Sequence, residues 1–163
     1  MVIVMARDCS PRISAKSVCG FRRKDLILRF WQVIPSTPQA VRRVIGRIMG
    51  VVRAMECALG ELRDIELALQ EALTNAIVHG SGGDPKKKIA VCCLCDEAKG
   101  ILLVVRDYGP GFDPSRVPDP TKADNVFQTH GRGIFLMRRL MDEVRFEKGG
   151  RQVVMARASR LSR

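Results

Sequence analysis

Lys88-Ile-Ala-Val-Cys-Cys-Leu-Cys95, Asp96-Glu-Ala-Lys99 and Gly100-Ile-Leu-Leu-Val-Val-Arg-Asp107 follow one another without a break. The outer two stretches are apolar and rich in β-branched residues, and the middle one is a short polar turn. That is the pattern of a β-hairpin. Downstream, Tyr108–Thr129 is rich in Gly, Pro and Asp and reads as irregular. Gly133–Met141 reads as a short apolar helix, and Val144–Glu147 with Gln152–Ala156 as a last hairpin around Gly149-Gly150. Upstream, Leu26–Ile34 (LILRFWQVI) has the apolar and aromatic content of a strand, broken by Pro35-Ser-Thr-Pro38. Thr37 suits a helix N-cap and Pro38 the first helical position.

Val41, Val44, Ile45, Ile48, Val51 and Val52 then recur at helical spacing, in a helix expected to end near Gly60. A second helix is expected from Leu62 to His79, with the stripe Ile65, Leu69, Ala72, Leu73, Ala76 and Ile77, stopped by Gly80–Pro85. The order β-α-α-β-β-loop-α-β-β predicts an α+β fold, a two-layer α/β sandwich with helices on one face of a mixed, largely antiparallel sheet. Residues 1–25 have no period and read as a loose basic extension, 26–157 as one domain, and 158–163 as a basic tail.

The chain has 163 residues and a formal net charge of +11. The charge is not spread evenly. Residues 1–25 hold six Lys/Arg against two Asp/Glu, and residues 145–163 six against one, whereas 26–144 are nearly balanced, at sixteen against fourteen. Basic flanks of this kind argue against an organised nucleic-acid groove and leave contact with an acidic protein open. No apolar run approaches the roughly 20 residues that a membrane helix needs, and Met1–Cys9 lacks the parts of a signal peptide. Of the six cysteines, Cys92, Cys93 and Cys95 fall within the first strand of the central hairpin, with Cys93 and Cys95 on one face and Cys92 on the other. Without zinc-finger spacing, the expectation is reduced, buried thiols and a cytoplasmic protein.

Three segments hold the residues that could do chemistry. In Glu71-Ala-Leu-Thr-Asn75-Ala-Ile-Val-His79 a spacing of four puts Glu71, Asn75 and His79 on one helical face. An acid and an amide there suit a hydrated Mg²⁺, which prefers oxygen ligands. The acid could equally orient a hydroxyl nucleophile for phosphoryl transfer, and a solvated polar stripe is the plain alternative. Arg106-Asp107-Tyr108-Gly109-Pro110-Gly111-Phe112-Asp113 follows a strand. A buried Asp at that point can accept a hydrogen bond from an adenine amino group, and the glycines permit close approach of backbone to a flat base. An ordinary turn is the alternative. In Thr129-His130-Gly131-Arg132-Gly133 two glycines open a helix, where N–H groups and the helix dipole favour phosphate. The chain has no G-x-x-x-x-G-K-[ST] loop, which argues against P-loop chemistry.

Taken in this order, QEALTNAIVHG, RDYGPGFDP and HGRGIFLMRRLMDEV resemble the N, G1 and G2 boxes of the GHKL ATPase superfamily, and most nearly those of the anti-sigma factor serine kinases. The likeness covers about residues 27–157. It implies ATP and Mg²⁺ as cofactors, with Glu71 as general base and Asn75 as the Mg²⁺ ligand. Asp107 takes the adenine amino group, and Gly109 and Gly111 shape that pocket. Gly131 and Gly133 border the phosphates, and about Pro114–His130 form a lid. His79 is left between packing and phosphate contact, Arg132 between phosphate and solvent, and Arg42 and Arg43 between a dimer partner and a solvated helix face.

Many relatives carry a Thr in the final hairpin; here it reads Lys148-Gly-Gly-Arg-Gln-Val153. The resemblance further implies a homodimer that binds a sigma factor and phosphorylates a serine of a STAS-domain anti-anti-sigma factor. A kinase of the same fold with another partner, and a module that holds nucleotide without transferring phosphate, are the rival readings.

Overall fold

The computed structural model describes residues 3–5, 21, 25–55, 61–117 and 132–159. Six strands form one mixed sheet in the order β1-β2-β3-β4-β6-β5. They are β1 (Ile3–Met5), β2 (Leu28–Pro35), β3 (Lys88–Asp96), β4 (Gly100–Arg106), β5 (Glu143–Glu147) and β6 (Gln152–Arg157). All neighbours are antiparallel except β1 and β2, which run parallel through Ile3 opposite Leu28. The helices α1 (Pro38–Ala54), α2 (Leu62–Asn75) and α3 (Arg132–Leu140) cover one face. The α+β sandwich expected from the sequence is therefore present.

The central hairpin carries the core. β3 and β4 are buried along nearly their whole length because both faces of the sheet are covered, which is why they read as unbroken apolar runs rather than alternating ones. Ile89, Val91, Cys93, Ile101, Leu103 and Val105 meet Val44, Ile48, Ile65, Leu69 and Leu73 of the helices. Cys92, Leu94, Leu102, Val104 and Val154 form a second apolar cluster with Leu26, Phe21 and Trp31 on the opposite face. Thr37 caps α1 by accepting from Ala40 N at 3.3 Å, with Pro38 at the helix start, as its position in sequence suggested.

Four expectations are corrected. Residues 3–5 are a strand, so the first 25 residues are not wholly loose; three residues carry no readable period, and only pairing with the distant β2 defines them. The second helix leaves α geometry at Asn75 and continues as a π turn, Ala76–Gly80. The start of the supposed tail is tied down: Ala158 N donates to Asp142 Oδ2 at 2.7 Å and Ser159 N to Lys99 O at 3.3 Å. Finally, Cys92 and Cys93 are buried thiols outside any disulfide, as expected, but Cys95 is disulfide-bonded, with its partner outside the described residues. The thiol argument for compartment loses that support.

Arg157 ties the end of the sheet to the start of α2. Its guanidinium donates to Glu61 Oε2 at 2.5 Å and Asp142 Oδ1 at 3.4 Å, and Asp64 lies 3.9 Å away. Hydrogen bonding to Glu61 is the main reason the guanidinium holds its proton more tightly than usual. Glu61 is buried, so removing Arg157 takes away the guanidinium that balances its charge, which typically costs about 3 kcal/mol. Arg157→Ala should lower the thermal midpoint by roughly 6–12 °C. A midpoint within about 1 °C of wild type would show that the network contributes nothing.

Candidate functional site

Between α2, α3 and the end of β4 lies a cavity of about 650 Å³, within the usual range for small-molecule and cofactor sites. α2 contributes Glu71 and Asn75, the π turn His79 and Gly80, the end of β4 Val105 and Asp107, and the first turn of α3 Arg132 and Gly133. The next loop and the β5–β6 hairpin add Gly111, Phe112, Gly150 and Arg151. Glu71, Asn75, Asp107, Gly111, Arg132 and Gly133, which come from three separate stretches of sequence, thus line one space. Gly109 does not face it directly. Gly131 and His130 lie outside the described residues, as does the lid beyond Val117.

One end of the cavity is polar and narrow. A Cβ added to Gly133 would stand 2.8 Å from Glu71 Oε2 and 3.3 Å from Asn75 Nδ2. Glycine here lets the start of α3 close on the carboxylate and carboxamide of α2. The N-terminus of a helix favours anionic groups such as phosphate. The donor set, one carboxylate and one amide oxygen, fits Mg²⁺, which keeps several waters and takes further ligands from nucleotide phosphates. Among the described residues no cluster of three or more His, Cys, Asp or Glu exists that could hold a metal by itself.

The other end is built around Asp107. Burial pushes its carboxyl above the usual range, opposed by hydrogen bonds from Gly109 N and its own backbone and by the charges of Arg151 and Lys87. Oδ1 accepts from Gly109 N at 2.8 Å, and Asp107 N donates to Arg151 O at 3.0 Å. Phe112 and Phe146 meet edge to face, their centroids 5.3 Å apart, and with Val105 and Val153 give this end an apolar wall on which a flat ring can rest.

The loop is fixed by glycine contacts. Phe112 N donates to Gly149 O at 3.0 Å, and a Cβ on Gly150 would come within 2.7 Å of the Phe112 ring. Sequence reasoning missed Phe112, Phe146, Arg151 and Gly80. In sequence Gly80 reads as a helix stop and Gly149-Gly150 as a hairpin turn. The final hairpin, which has no Thr, carries Arg151 instead, whose charge helps keep Asp107 ionised.

His79 is exposed on the π turn at the cavity wall, and Arg132 is exposed at the mouth. Arg42 and Arg43 are exposed on α1, away from the lining residues. No helix among the described residues is long and apolar enough to cross a membrane.

Comparison with known proteins gives the family and the fold. Residues 34–157 match the family described as histidine kinase-like ATPase domain. The chain is 33% identical over 119 residues to the serine-protein kinase RsbW of Bacillus pumilus, covering 68% of this chain and 73% of the relative. It is 31% identical over 100 residues to the anti-sigma F factor of Bacillus cytotoxicus, covering 60% and 67%. A solved structure of the RsbU and RsbW domains of a Mycobacterium tuberculosis protein shares the fold, with TM-score 0.50 and 17% identity; the match covers 81% of this chain and 33% of that one. The chain belongs to the histidine kinase-like ATPase domain family, in the GHKL superfamily, and stands among its anti-sigma factor serine kinases.

Proposed function

We propose that this chain is an ATP-dependent serine kinase that also holds a sigma factor inactive, and that its phosphate acceptor is a STAS-domain anti-anti-sigma factor. The observation that carries the reading is the convergence of Glu71, Asn75 and Gly133 at one end of a single cavity and of Asp107 at the other. ATP with Mg²⁺ supplies the transferable phosphoryl group and the charge neutralisation it needs. Asp107 accepts a hydrogen bond from the adenine amino group, and Gly109 and Gly111 hold the loop that seats the base. Asn75 holds the metal. Gly131, Arg132 and Gly133 border the phosphates, with residues 114–130 as lid. Glu71 takes the proton of the substrate serine as its oxygen attacks.

Residues 26–157 form the catalytic unit, acting as a cytoplasmic homodimer without direct nucleic-acid contact. Phosphate on the serine adds negative charge, which weakens the antagonist's grip on the kinase and leaves the kinase free to hold sigma.

The test is incubation with γ-labelled ATP, Mg²⁺ and a candidate STAS-domain protein from the same genome, with sigma factors assayed for co-purification. Label on a serine of the STAS protein and retention of a sigma factor are the expected results. ATP bound with no label transferred would reduce the chain to a nucleotide-binding module. Label transferred without any sigma factor retained would place it with a different partner.

A further inference from the structure

The π turn at the end of α2 brings Gly80 against the base end of the cavity. Ser81 N donates to Ala76 O at 2.8 Å, the wider ring that adds one residue to the turn. Gly80 is buried there, and a Cβ on it would overlap the Asp107 carboxyl carbon and lie 2.6 Å from both Asp107 Cβ and Oδ1. From the other side, a Cβ on Gly109 would overlap Gly80 O and lie 2.9 Å from Gly80 Cα. Two bare backbones therefore press together around one carboxyl group, whose Oδ1 is already engaged by Gly109 N at 2.8 Å.

We propose that Gly80 is a positioning residue for nucleobase selection: its missing side chain is the space in which the Asp107 carboxyl sits, so Gly80 sets the angle at which that group meets a purine 6-amino group. The inference rests on the reading of Asp107 as the base acceptor. The same helix carries Glu71 and Asn75, so the turn also joins the two ends of the site. Any side chain at position 80 displaces the Asp107 carboxyl together with the backbone that carries it, because the Asp107 Cβ stands in the way as well. It leaves the phosphate end, more than one helical turn earlier, in place.

The experiment measures calorimetric Kd, in Mg²⁺, for ATP and for purine riboside triphosphate, which is ATP without the 6-amino group. Wild type should prefer ATP by roughly 10-fold to 100-fold, the usual worth of a hydrogen bond to a charged group. Gly80→Ala should bind ATP no better than the analogue, with the analogue's Kd within about threefold of wild type, the scale of an untouched contact. A purely structural role for Gly80 would weaken both nucleotides together, and that result overturns the inference. So does a Gly80→Ala protein that keeps the wild-type preference.

If wild type itself shows no preference, the assignment of Asp107 to the base falls first, and the inference with it. Should Gly80→Ala fail to fold, the double variant Gly80→Ala/Asp107→Gly is measured beside Asp107→Gly alone. Recovery of folding in the double variant supports the contact; no recovery, with the single variant folded, overturns it.

Discussion

Glu71→Gln should leave ATP bound within about threefold of wild type and lower phosphoryl transfer to the protein serine by about 10²- to 10⁴-fold, the range that a positioned general base supplies. The two effects separate for a geometric reason. Glu71 Oε2 lies 2.8 Å from where a Cβ on Gly133 would stand, so it helps shape the narrow end of the cavity. Glutamine fills the same volume and keeps that closure. What it loses is the ability to take a proton from an attacking hydroxyl. Asn75, one turn further along α2 and proposed as the metal ligand, is left unchanged. Single-turnover transfer measured beside nucleotide affinity checks this. Unchanged transfer would remove Glu71 as the base, and a large loss of ATP binding would make it a ligand or packing residue.

Asp107→Ala should weaken ATP roughly 10-fold to 100-fold, because a carboxylate accepting from an amino group makes one of the stronger single hydrogen bonds. The fold invests in this group. Burial opposes its ionisation, while Gly109 N, Arg151 and Lys87 favour it, and the net effect is a carboxyl that protonates more readily than an ordinary Asp. The sign follows: the acceptor is fully charged only above its raised pKa. As pH falls, ATP affinity should therefore begin to drop at a higher pH than an unperturbed aspartate would give, and Asp107→Ala should lack that dependence. Calorimetry across mildly acidic pH tests both. Equal ATP affinity in variant and wild type would end the adenine assignment.

The sequence revealed the parts of this molecule that local chemistry controls. The runs 89–95 and 101–105 are apolar at every step because β3 and β4 are covered on both faces, and Asp96–Lys99 marks the turn between them. Thr37 and Pro38 mark the start of α1 by their own side-chain chemistry. Glu71 and Asn75 share a helical face by spacing alone. The rest is set by contacts between distant segments. β1 exists only through its pairing with β2. The π turn closes a wider ring than the helix before it, and no residue type in Ala76–Gly80 announces the change. Gly80 looks like any helix-ending glycine until Asp107, 27 positions later, is seen against it. Phe112 and Phe146 meet because Gly149 and Gly150 let two loops touch.

A crystal structure with a non-hydrolysable ATP analogue and Mg²⁺ bears most directly on the whole account. The expected result is an adenine amino group within hydrogen-bond distance of Asp107, a ring against Phe112 and Val153, and a metal on Asn75 beside the first turn of α3. A nucleotide bound elsewhere on the chain, or one in this cavity with its phosphates at Asp107, would contradict it.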